Sequence, residues 1–200
     1  MFHDYIYKQT NEHKSGKEKK MSEFKSCLRT GSVKFGDDFY AVAEVTALFG
    51  QDIGKLPFHN WFKIPGKADD IGCLLSDNGG RGWHNVREFG PKIDSRGWNE
   101  VLAITEYNDN GSETQRRIDE ELAHPKTRYV FYRERRQGTL WYKFYGVFRM
   151  DEAATRASLA SGAPAVIYRR VSETVELRRM KEETEMPASP DAAGVSAEAA

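Results

Sequence analysis

Cysteine is nearly absent, with Cys27 and Cys73 the only two in 200 residues. Two thiols are too few for a disulfide framework or an all-cysteine metal site, so both read as ordinary buried thiols. Net charge is absent as well. Thirty Lys plus Arg balance thirty Asp plus Glu, and no global field draws the chain to nucleic acid or to an anionic membrane. Any basic surface must therefore be local. No apolar run approaches the roughly 20 residues that span a bilayer, and residues 1–20 are polar where a secretory signal would be apolar. These absences predict a soluble, cytoplasmic chain with no membrane partner.

Catalytic signatures are missing too. No Gly-x-x-x-x-Gly-Lys-Ser/Thr loop exists to cradle phosphates, and Gly79-Gly80-Arg81-Gly82 leads into Trp83 rather than into a helix. The Glu-x-Lys pattern of a restriction-type metal nuclease occurs only in the polar N-terminal segment, as at Glu18–Lys20. Asp69, Asp70, Asp77 and Glu88 lie in Gly-rich stretches, where acids more often solvate turns or cap backbone groups than hold a metal. His59-Asn60 and His84-Asn85 invite comparison with His-Asn-His nucleases, but no second ligand pair frames them. The sequence thus leans away from an enzyme, with no cofactor and no metal expected. A metal-dependent nuclease built on the His59 and His84 loops is the alternative from another class.

What is present is a core. Hydrophobic residues make up 39% and aromatics 12% of the chain, enough for one globular domain. The ends read as loose. Residues 1–30 are expected to form a mobile arm, and residues 181–200, rich in small residues, Pro and acids, a disordered acidic tail. Between them lies a single domain over 31–180.

Within that domain, Val33 to Val42 reads as a short hairpin turned at Gly36-Asp37-Asp38, followed by a helix ending at Phe49 with Gly50 as its cap. Short strands are expected around Trp61–Ile64, Ile71–Leu75 and Trp83–Val86, then a longer one at Glu100–Tyr107. Ser112 with Gln115 resembles a capping box for a short helix ending before Pro125. Arg128–Glu134 and Thr139–Met150 read as a hairpin, Asp151 as the N-cap of a helix stopped at Gly162, and Ala165–Leu177 as a last strand. The order argues for a mixed α+β domain, a small antiparallel or mixed β pseudo-barrel with a few short helices.

The strand Thr139–Met150 carries the functional expectation. Strict alternation places Leu140, Tyr142, Phe144, Gly146, Phe148 and Met150 on the core, and Thr139, Trp141, Lys143, Tyr145, Val147 and Arg149 toward solvent. Aromatic rings interleaved with cations suit base stacking and phosphate neutralisation. The flanking hairpin adds Lys126, Arg128, Arg133, Arg135 and Arg136 against the single acid Glu134, so phosphate contacts and salt-sensitive binding are expected. Exposed aromatics of this kind also suit a surface for a protein partner. Trp83 and Trp98, on either side of a loop, are candidate walls of a pocket for a planar ligand.

Tyr129-Val130-Phe131-Tyr132-Arg133-Glu134, Trp141 to Phe148, Ala165 to Leu177 and the upstream Gly82-Trp83-His84-Asn85 together resemble the PUA-like superfamily, notably the SRA and EVE-like modules of bacterial defence proteins. The likeness spans about residues 71–177. It implies a pseudo-barrel that reads nucleic acid, DNA ahead of RNA, and in the SRA branch a pocket for a flipped, modified base. By that analogy Trp83, His84 and Asn85 would lie near the pocket, while Arg133, Arg135, Arg136, Trp141, Lys143 and Tyr145 would contact the strand.

Overall fold

The computed structural model describes residues 24–51, 60–136 and 138–177. His59, residues 1–23 and residues 178–200 lie outside that set, so the expectations for them have no counterpart below. Helix α1 covers residues 24–30 and brings Cys27 into the core, so ordered structure begins before residue 31. There follow β1 (Ser32–Lys34), β2 (Asp38–Phe39), α2 (Val42–Leu48), β3 (Trp61–Ile64), β4 (Lys67–Leu75), β5 (Asn78–Gly80), β6 (Trp83–Ile93) and β7 (Asn99–Asn108). The second half holds α3 (Gly111–Ala123), β8 (Thr127–Arg136), β9 (Thr139–Met150), α4 (Glu152–Ala160), β10 (Val166–Ser172) and β11 (Thr174–Glu176).

Nine strands form one open sheet in the order β3-β4-β8-β9-β10-β7-β6-β5, with β2 laid against β9, and β1 pairs with β11 in a separate ribbon. Strand β4 runs parallel to β8, while the other described pairs are antiparallel. The fold is therefore the expected mixed α+β type, mostly strands with short helices. Among the described residues no helix is long and apolar enough to cross a membrane.

Several local expectations hold. Asp151 caps α4 by accepting from the Ala154 amide at 3.0 Å, and Gly162 follows with φ +77°. Gly50, at φ +73°, ends α2. Others change. Val33 to Val42 is not a hairpin: β1 pairs with β11 and β2 with β9, so the turn at Gly36 carries the chain between two sheets. Asn110, not Ser112, caps α3, its side chain accepting from the Ser112 amide at 3.1 Å. Asn110 lies two residues earlier, and its side-chain oxygen also accepts from the Ser112 hydroxyl at 2.8 Å. The last strand is divided into β10 and β11, and β6 runs on to Ile93.

The larger correction concerns β9. Helices α1 and α2 and the β1/β11 ribbon cover one face of the sheet, burying Phe39, Phe131, Tyr142, Phe144 and Val147 in one apolar cluster. A second cluster on the other face holds Val130, Tyr132, Tyr145, Phe148 and Tyr168, with Ile118 of α3 and Leu159 of α4 packed against it. From Tyr142 to Phe148 the strand is covered on both faces and has no solvent side. The alternation also slips once, because Val130 lies opposite Gly146 and Phe131 opposite Phe144, leaving Tyr145 as the extra residue of a bulge. Gly146 allows it. Its φ is +122°, and a Cβ there would lie 2.5 Å from the Ser172 carbonyl oxygen.

Candidate functional site: a cleft between the β8–β9 hairpin and the β6–β7 turn

The turn from β6 into β7 is fixed by Asp94. Its Oδ1 accepts from the amides of Arg96 and Trp98, both at 2.9 Å, and its own amide donates to the Trp98 carbonyl at 2.9 Å. Gly97 supplies the positive φ, +81°, that lets the chain close this tightly. The indole of Trp98 is thereby set opposite the end of the β8–β9 hairpin. Between them opens a cleft of about 550 Å³. Trp98, Tyr132, Tyr145 and Phe89 supply aromatic surface, and Arg87, Arg133, Arg135, Arg136, Asp77 and Glu134 supply charge.

These polar groups are tied together. Arg87 donates from Nη1 to the Tyr145 hydroxyl at 3.2 Å and from Nη2 to Asp77 Oδ2 at 3.1 Å, while its guanidinium stacks 4.2 Å from the Tyr132 ring centroid. The Tyr132 hydroxyl donates to the same Asp77, and the Tyr145 hydroxyl donates to Glu134 Oε1 at 3.3 Å. Arg136 reaches Glu134 Oε2 at 2.8 Å and Asp38 Oδ2 at 3.0 Å, and packs 4.8 Å from the centroid of Trp98. Burial pushes the Tyr145 phenol up to about 12, with the Glu134 carboxylate adding to the rise, and raises that of Tyr132 as well. Both phenols stay protonated at neutral pH and remain donors.

The sequence expectations divide on this geometry. Arg133, Arg135, Arg136 and Tyr145 all line the cleft, and Trp141 stands beside it with Arg136 at 5.3 Å from its ring. Tyr145 and Lys143, however, are not on a water-facing stripe. They are 1% and 0% exposed, because the face assigned to solvent is the floor of the cleft and its surroundings. Of the two tryptophans, Trp98 is a wall and Trp83 is not; Trp83 packs 5.3 Å from the Arg117 guanidinium instead.

His84 and Asn85 also lie outside the lining. His84 Nε2 is 2.8 Å from Asp109 Oδ1, with its ring stacked on Tyr107 at 4.9 Å. Among the described residues no group of three His, Cys, Asp or Glu side chains is placed to hold a metal. Asn85 touches the cleft indirectly. Its side chain donates to the Ser76 carbonyl at 2.8 Å and its amide to the Asp77 carbonyl at 3.0 Å, which fixes the loop that delivers Asp77.

Arg87, Tyr132, Glu134 and Phe89 are cleft residues that sequence reasoning missed as site residues, and Asp77 was considered only as a turn acid or metal ligand. The cationic count along the hairpin points to residues that line one side of this cleft. It could not mark Arg87, whose partners lie 10 and 58 residues away.

No protein-family model matches the sequence, and no curated protein matches it. Among solved structures the chain is similar to the 5-hydroxymethylcytosine-specific restriction enzyme AbaSI, at 19% identity and a TM-score of 0.59. The similarity covers 87% of this chain and 55% of that one, so it spans little more than half of that enzyme's length. At this identity the likeness is one of fold.

Proposed function

We propose that the chain is a DNA-binding module whose cleft receives a base turned out of the duplex, with a 5-modified cytosine as the occupant, in a restriction or defence setting. The single observation that carries this reading is the cleft itself. Its volume of about 550 Å³ lies in the range of roughly 300–1,000 Å³ typical of small-ligand sites. Its walls are rings, and its polar groups are already held in fixed hydrogen bonds. An extruded base needs faces to stack on and partners for its Watson–Crick edge. Trp98 supplies such a face at the cleft wall. Asp77 and Glu134 offer acceptors for the exocyclic amine of cytosine, and the Arg87 guanidinium offers donors for its ring acceptors.

Stacking therefore moves from an open strand surface into the cleft, while phosphate contacts stay with the hairpin. Arg133, Arg135 and Arg136 stand at one edge of the cleft, where the backbone of a flipped nucleotide would pass. The choice of modified cytosine draws on the name of the structural neighbour, which specifies 5-hydroxymethylcytosine.

The test is equilibrium binding of labelled duplexes that carry one 5-hydroxymethylcytosine, one 5-methylcytosine or cytosine alone, each at several salt concentrations. Preference for a modified duplex, with affinity falling as salt rises, is the expected result. Equal affinity for all three, or affinity indifferent to salt, would refute it.

A further inference from the structure

Lys143 is the strangest buried group in the described residues. Its side chain is 0% exposed, and its Nζ has no hydrogen-bond partner. Buried ammonium groups are ordinarily paired and hydrogen-bonded, since removing the charge from water is expensive. The nearest groups are the Trp98 ring, with its centroid 3.7 Å from Nζ, and Asp94 Oδ2 at 3.8 Å, itself buried and without a hydrogen-bond partner. Asp38 faces the lysine from β2, and Glu134 and Arg136 from β8. These acids are already engaged, Asp38 by Arg96 and Arg136, and Glu134 by Arg136 and Tyr145. Burial therefore outweighs them and lowers the amine to about 8.

The geometry points to a reserved donor: we infer that Lys143 is a ligand-binding residue held behind Trp98, and that its ammonium donates to an acceptor oxygen of the bound base once the indole turns aside. This deepens the cleft reading above and rests on it. Lys143 and Tyr145 project to the same face of β9, and Tyr145 already lines the cleft. Two residues of strand separate them by about 7 Å. The Trp98 ring, which lines the cleft and lies against the amine, is carried on a five-residue turn whose anchor, Asp94, is the same residue that faces the amine. An acceptor arriving in the cleft would give the ammonium the hydrogen bond it lacks.

The proton linkage has a definite sign. The ligand would bind the protonated amine, so the amine's affinity for its proton is higher in the complex than in the free chain. Binding then takes up a proton above pH 8. Affinity is level below that value and declines above it, by at most about tenfold per pH unit.

Two measurements test this. In the first, the ligand-free chain is treated with an amine-acetylating reagent and mapped by peptide mass: Lys143 should react slowly in the wild type and much faster in Trp98→Ala. In the second, a 5-hydroxymethylcytosine duplex is titrated across pH 6.5–9.5. Lys143→Met should weaken binding at pH 7 about tenfold or more, as for a lost charge-assisted hydrogen bond, and should abolish the decline above pH 8. Lys143→Arg should retain most of the affinity. Unchanged labelling in Trp98→Ala would overturn the inference. So would an affinity and pH profile in Lys143→Met that match the wild type, and that outcome leaves the cleft reading standing. A wild type that binds no modified duplex at any pH would sink the cleft reading, and the donor role with it.

Discussion

The two faces of β8 and β9 differ in how much polar chemistry they bury alongside their apolar clusters. Under α1 and α2, Phe131 packs against Phe39, Phe49 and Phe144 with ring centroids 5.0–6.1 Å apart, in a cluster of apolar and aromatic side chains. On the other face, the same strands bury Tyr132, Lys143 and Tyr145 among carboxylates and guanidiniums, and beyond them the ion pair of Arg128 with Glu121 at 2.5 Å. One face is built for stability. The other holds polar groups at a cost that a packed apolar side would avoid, and that cost is concentrated around the cleft.

This contrast can be broken by substitution, and the largest effect belongs to the apolar face. Phe131→Ala should lower stability by about 3–5 kcal/mol, read from chemical denaturation, because a fully buried ring leaves a cavity. A loss below about 1 kcal/mol would mean that this face is loosely packed. Next comes Glu121→Ala, which strands the Arg128 guanidinium at 4% exposure and should cost about 3–5 kcal/mol. Pairing the change with Arg128→Met should recover most of that loss, and failure to recover would show that the pair does more than neutralise itself.

A pH experiment separates the faces more finely. Lys143 titrates near 8 in the folded chain against an ordinary value of 10.5. The unfolded chain therefore holds more protons between those values, and stability contributed by this residue is lowest below pH 8 and rises up to about 10.5. The denaturation midpoint of wild type relative to Lys143→Met should climb over that window. A flat difference would place the amine in water. The smallest effect is expected for Tyr145→Phe, which keeps the ring and removes the hydroxyl that bonds Arg87 and Glu134. It should cost about 1 kcal/mol of stability while weakening the modified duplex, whereas Tyr145→Ala should compromise the fold.

Much of the scaffold was legible in the letters. Asp151 and Gly162 bracket α4 by cap chemistry that depends only on local backbone needs, and the β8–β9 hairpin announces itself through β-branched and aromatic runs around Gly138. The orientation of β9 was not legible by alternation, since Tyr145 and Lys143 are covered by Phe35 and Trp98, which lie far back along the chain. One signal did exist: Gly146 interrupts an aromatic strand, and a glycine there marks a bulge or a close backbone approach, which here is the Ser172 carbonyl. Trp98 was readable as a pocket wall because it follows a turn. Trp83 carried the same signal and packs on Arg117 instead.

Base extrusion itself is the most direct object of measurement. A duplex with 2-aminopurine next to a 5-hydroxymethylcytosine should brighten on saturation with wild-type chain, as the neighbouring base leaves the stack and enters the cleft, and should brighten far less when cytosine replaces the modified base. Saturated binding with unchanged 2-aminopurine fluorescence would mean that the base stays stacked, and would contradict the account.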